Sequence, residues 1–174
     1  MPDSTITQEQ VNHRSSSLLK IICLAGLLVG TLDILAALTD YYIATHKDPT
    51  GVLRFIASGI LGKTAFSGGT GTAILGLALH YIIAFIFTNF FFGIYPKIKW
   101  LAKNRVITGI VYGVFIWIIM TRIVLPLSNT PPIKFHIGKA LKAALILTIM
   151  IGLPLSFMAY NFFNGRQNRR LDKS

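Results

Sequence analysis

The sequence predicts an all-α integral membrane protein: a four-helix bundle with a short amphipathic helix in its first outer connection. Three observations predict it. The 174 residues are 53% hydrophobic and only 13% charged, where a soluble domain carries about 25% charged residues. The apolar residues gather in four runs, each near the ~20 residues that cross a bilayer core. The seventeen Lys and Arg lie mostly between, beyond or at the ends of those runs. A net charge of +11 is therefore read as orientation and contact with lipid headgroups. No basic helix or aromatic stacking platform accompanies it, so no nucleic-acid partner is expected.

Residues 1–16 are rich in Ser, Thr, Gln and Asn and are expected to form a loose polar tail. The first span follows, about 17–42. Arg14 and Lys20 flank it like the charged start of a signal peptide. The run is too long for one, contains Asp33 and lacks a small-x-small cleavage site, so a retained helix is expected. At helical spacing Gly26, Gly30, Asp33, Ala37 and Asp40 share one face. A carboxylate among acyl chains costs several kcal/mol, so that face should meet other helices, and its glycines should let a neighbouring backbone come close. Cys23, the only cysteine, excludes an intrachain disulfide and is expected to pack as a small side chain.

The first connection, 44–71, is the longest. Asp48-Pro49 reads as a turn or helix start. Val52, Phe55, Ile56 and Ile60 then line one side of a helix too short to span, which suits an interfacial or re-entrant position. Ser67 to Gly71 reads as a hinge. The second span, about 72–95, carries the stripe Ala73, Gly76, His80, Ala84 and Thr88, which should match the stripe on the first, and Pro96 stops it. Lys97, Lys99, Lys103 and Arg105 form a basic loop with Trp100 as an interfacial anchor. The third span, about 106–127, holds Gly109, Gly113 and, late, Arg122. The fourth, about 140–163, has Gly152 and Pro154 as a kink, and a basic tail, 164–174, closes the chain. The N-tail, second loop and C-tail hold ten Lys or Arg against six in the two opposite connections, which places both termini in the cytoplasm.

With that topology Asp33, His80 and Arg122 fall at similar depths, within about one helical turn at ~1.5 Å per residue. They are the candidate intramembrane polar cluster. Two readings stand: a pair that locks helices together, or a proton relay with His80 as its switch. Arg122 lies nearly opposite Gly113 on a helical wheel and is near enough to the interface to snorkel. Gly26–Gly30 and Gly109–Gly113 fit the small-xxx-small pattern of close helix packing, within the chain first and between copies second.

Gly62-Lys63-Thr64 resembles the end of a phosphate-binding loop, with Ala57 in place of its first glycine. That motif needs a strand before it, and none is expected. The four histidines, His13, His46, His80 and His136, lack metal-ligand spacing. Nucleophile-elbow signatures are absent too. The expectation is a non-enzymatic protein with no catalytic residues, cofactor or metal. Its partners would be the lipid bilayer and either a second copy or another membrane protein. The alternative is a proton- or ion-linked transporter or channel component using Asp33 and His80.

Three stretches also carry a resemblance: Ala57-Ser-Gly-Ile-Leu-Gly with Ala65-Phe-Ser-Gly-Gly, Gly76-Leu-Ala-Leu-His80 with Ile83-Ala-Phe, and Val124-Leu-Pro-Leu-Ser128. In that order the chain, over residues 25–130, resembles small four-span bacterial inner-membrane proteins of the YagU-like kind. The resemblance implies a four-helix membrane protein of the bacterial cytoplasmic membrane, and no particular chemistry.

Overall fold

The computed structural model describes residues 4–132 and 136–171, with side chains described over 17–132 and 136–164. Lys134 and Lys173, and the side chains of Arg14, Arg166, Arg169 and Arg170, all counted for orientation above, lie outside the described residues. The described chain is helical, with no strand. Helix α1 is Ser4–Thr45 and α2 is Thr50–Leu61, followed by a 3-10 turn, Gly62–Phe66. Helix α3 is Thr70–Ile94, and two more 3-10 turns, Tyr95–Lys97 and Lys99–Ala102, lead to α4. Helix α4 joins Arg105–Ile119, a wide π-turn segment Met120–Val124 and Leu125–Leu127. Helix α5 joins Ile137–Leu147, a second wide segment Thr148–Gly152 and Leu153–Leu171.

Four stretches are long and apolar enough to cross a membrane: Ser17–Thr45, Thr70–Lys97, Arg105–Leu127 and Ile137–Asn164. They match the expected spans within a few residues. The tail at 4–16 is helical rather than loose, because extending a helix already nucleated at Ser17 costs far less than starting one. Likewise the basic C-terminal segment stays helical to Leu171. The hinge is shorter than expected, since Gly69 caps α3 while Thr70 and Gly71 join its first turn.

Both wide segments precede a proline. Pro126 and Pro154 have no N–H to offer the carbonyls four residues back, those of Arg122 and Met150. The helix absorbs the loss by widening: Leu125 N–H reaches back five residues to the Met120 carbonyl, and Leu153 N–H to that of Thr148. The two sites share the pattern Ile-x-Leu-Pro-Leu-Ser, as Ile123-Val-Leu-Pro-Leu-Ser128 and Ile151-Gly-Leu-Pro-Leu-Ser156.

Helices α4 and α5 interlock antiparallel. A methyl at Gly109 would stand 2.8 Å from Leu153 Cα, and at Gly113 it would strike the backbone of Thr148. Gly152 meets the Gly109 carbonyl in return. The Ser156 hydroxyl donates to the Arg105 carbonyl at 2.7 Å. Four-residue spacing on both helices, Arg105-Gly109-Gly113 against Thr148-Gly152-Ser156, builds this seam. Helices α3 and α4 touch through rings instead: Phe91 and Tyr112 lie 4.4 Å apart and the Tyr112 hydroxyl donates to the Phe87 carbonyl at 2.6 Å. The core, with Ala25, Val29, Phe91, Phe92, Tyr112 and Leu155 among its members, lies towards the end where α3 hands over to α4. We call this the basic end and the opposite one the α2 end.

Helix α2 closes the α2 end as a crossbar. His46, in the left-handed conformation at φ 53°, stops α1. Asp48 then caps α2, accepting the Thr50 amide at 3.0 Å and the Thr50 hydroxyl. Tyr41 of α1 covers Gly51, and the Leu53 carbonyl lies directly on Gly76 of α3. At its far end the Gly59 carbonyl accepts the Asn129 amide at 3.0 Å, and the Ile60 carbonyl accepts the Asn129 side chain at 3.1 Å. Gly76 was expected to face α1, and it faces α2. Helix α2 therefore packs against protein about six residues along α3, roughly 9 Å at ~1.5 Å per residue.

Candidate functional site

The contact between α1 and α3 holds two of the three expected polar residues. Gly26 sits under the Phe85 ring and Gly30 under that of Tyr81, with the Ala84 methyl alongside. The missing side chains on α1 bring the helices close enough for His80 Nε2 to donate to the Gly30 carbonyl at 2.8 Å. A carbonyl can only accept, so Nε2 carries a proton. Asp33, half-buried and three residues beyond Gly30, lies within electrostatic reach of His80. Beside them the Thr31 and Tyr81 hydroxyls share a hydrogen bond of 2.8 Å, and the His80 and Tyr81 rings meet edge to face at 5.6 Å. The hydroxyl pair went unread in the sequence, because Thr31 and Tyr81 lie one residue off the small-residue stripes.

Arg122 is not brought to this pair. It is exposed within the wide segment of α4 and joins no ion pair among the described residues. The ion pairs that form are elsewhere. Lys142 of α5 pairs with Asp40 of α1, and Arg54 stands 3.9 Å from Asp48. The Thr50 hydroxyl and amide, with Arg54 beyond them, hold the Asp48 carboxyl below the usual carboxylate range. Gly62-Lys63-Thr64 follows a helix, and Gly62 ends it: with φ at +61° its N–H returns to the Ser58 carbonyl. No group of three potential metal ligands exists among the described residues.

What fold and site define is a helical protein with four helices of membrane-crossing length, the first two joined by a His80–Gly30 hydrogen bond with Asp33 half-buried nearby. No family model, curated protein or solved structure matches the chain.

Proposed function

We propose that this is a multi-pass protein of a bacterial cytoplasmic membrane, crossing four times with both termini inside. It acts without catalysis, its buried polar groups fixing how its helices pack and how the bundle meets a second copy or a membrane-protein partner. The observation that carries this reading is the His80–Gly30 hydrogen bond with Asp33 in reach. It joins two apolar helices through groups too costly to leave alone in lipid. The exposed faces support it, since Leu24, Leu27, Ile74, Ile82 and Ile110 point outward. The excess of Lys and Arg in the N-tail, second loop and C-tail supports the orientation, and the resemblance to four-span inner-membrane proteins supports the compartment. Impermeant-maleimide labelling of single cysteines at residues 4 and 100, in a Cys23→Ser background, tests the topology. Labelling from the periplasmic side would overturn it.

A second reading, proton- or ion-linked transport, draws on one specific observation. With Nε2 committed to the Gly30 carbonyl, Nδ1 is the ring nitrogen left without a partner bond, and Asp33 stands three residues beyond Gly30 on the same helix. Flux into liposomes holding the purified protein separates the readings. Flux lost in a folded Asp33→Asn variant establishes transport. Absent flux, with Asp33→Asn only destabilised, favours packing.

A further inference from the structure

Among the described side chains, the basic end gathers cations and no acid. Lys97, Lys99, Lys103 and Arg105 stand in the connection from α3 to α4 and its first turn, while Asp33, Asp40 and Asp48 all belong to the other half of the bundle. Arg105 is built in rather than merely exposed. Its carbonyl takes the Ser156 hydroxyl, and its guanidinium carbon lies 4.7 Å from the centre of the Phe157 ring and 5.1 Å from that of Tyr160. The guanidinium lies against these two rings, and its fork of N–H donors suits a bidentate acceptor, a carboxylate or a phosphate. No carboxylate among the described residues fills that role. The buried Tyr95 hydroxyl has no hydrogen-bond partner among the described residues.

The surrounding loop is fixed. The Thr108 hydroxyl donates to the Leu101 carbonyl at 2.9 Å, pinning the 3-10 turn onto α4 and leaving Trp100 and Ile98 exposed at 48% and 45%. The first amides of α4 are already used, since the Asn104 side chain accepts those of Val106 and Ile107. Recognition of an anion here therefore falls to side chains.

We infer that this end binds the phosphodiester headgroup of an anionic phospholipid. Arg105 takes the phosphate, the neighbouring lysines supply the field, and Trp100 sits at the boundary between headgroups and acyl chains. The inference rests on the membrane reading above. Charge complementarity selects the occupant: a cationic surface with exposed apolar rings suits a ligand that is anionic at the head and apolar below it.

The test uses the full chain with Trp117→Phe, which leaves Trp100 as the sole tryptophan, in vesicles doped with brominated phosphatidylglycerol or brominated phosphatidylcholine. The expected result is quenching of Trp100 by the anionic lipid at a mole fraction at least about five-fold lower, the factor one cation contributes near an anionic surface. Arg105→Gln should reduce that preference about five-fold while quenching by phosphatidylcholine persists, showing that the variant is inserted. Arg105→Lys should retain part of it. Equal quenching by both lipids in the parent chain, or an undiminished preference in Arg105→Gln, overturns the inference. Loss of the preference in excess inorganic phosphate overturns the lipid as occupant. Quenching by neither lipid would instead be a failure of the membrane reading.

Discussion

Two glycine-to-alanine changes, one in the seam between α4 and α5 and one at the open start of α3, should have opposite signs. At Gly113 the added methyl would run into the backbone of Thr148, with Thr148 N 2.9 Å away. Carbon contacts settle near 3.5–4.0 Å, and a backbone cannot rotate aside as a side chain can. The helices must part by about 1 Å, an overpacking that costs roughly 1–3 kcal/mol. Parting them strains the Ser156–Arg105 hydrogen bond, worth about another 1 kcal/mol. The better helix propensity of alanine returns up to about 1 kcal/mol. The net for Gly113→Ala is a loss of about 1–3 kcal/mol. At Gly71, in the first turn of α3, nothing lies within 4 Å of the new methyl. Gly71→Ala should therefore stabilise, by about 0.4–1 kcal/mol, through the unfolded state. Reversible unfolding in mixed micelles, followed by far-UV circular dichroism, measures both. If Gly113→Ala proves as stable as Gly71→Ala, the interlocked seam is wrong.

Other outcomes follow from the crossbar and its anchors. The hydrogen bonds to Asp48 favour its ionised form, so its share of stability is complete above the ordinary value of 3.8 and is lost as pH falls through the lowered folded value. Protection of the amides at the start of α2, taken relative to their intrinsic exchange rates, should fall in that acidic window and not at neutral pH, and Asp48→Asn should flatten the profile. Asn129→Ala removes the side-chain bond to the Ile60 carbonyl and leaves the backbone bond to Gly59. A loss of about 0.5–1.5 kcal/mol is expected, read as faster exchange in α2 with α1 and α5 unchanged. Ser156→Ala should lower global stability by about 1 kcal/mol, measured by the same unfolding assay.

Hydropathy made the four long helices legible, because length and charge content alone determine whether a helix can cross a bilayer. Which faces meet was harder to read, since lipid and protein interior are equally apolar and leave little periodic contrast. The faces that could be read were marked by exceptions: Gly26, Gly30 and Asp33 on α1, His80 on α3, and Gly109 and Gly113 on α4. Gly76 was assigned to α1 because its stripe matched, but a small-residue stripe does not say which backbone will use it. The partner of α2 was hidden for a related reason, as an apolar face suits lipid or a groove on α3 equally well. Arg122 was placed by depth alone. Its direction depends on a wheel drawn at about 100° per residue, and the wide turn ahead of Pro126 breaks that phase.

If Asp33 and His80 together hold α1 against α3, a double-mutant cycle of Asp33→Asn and His80→Gln, followed by unfolding in lipid-containing micelles, should show it. The expected coupling is about 0.6 kcal/mol and no more than about 1.7, the range for interhelical polar contacts. Strictly additive losses would refute the pairing, leaving two polar residues that share a neighbourhood and do nothing for each other.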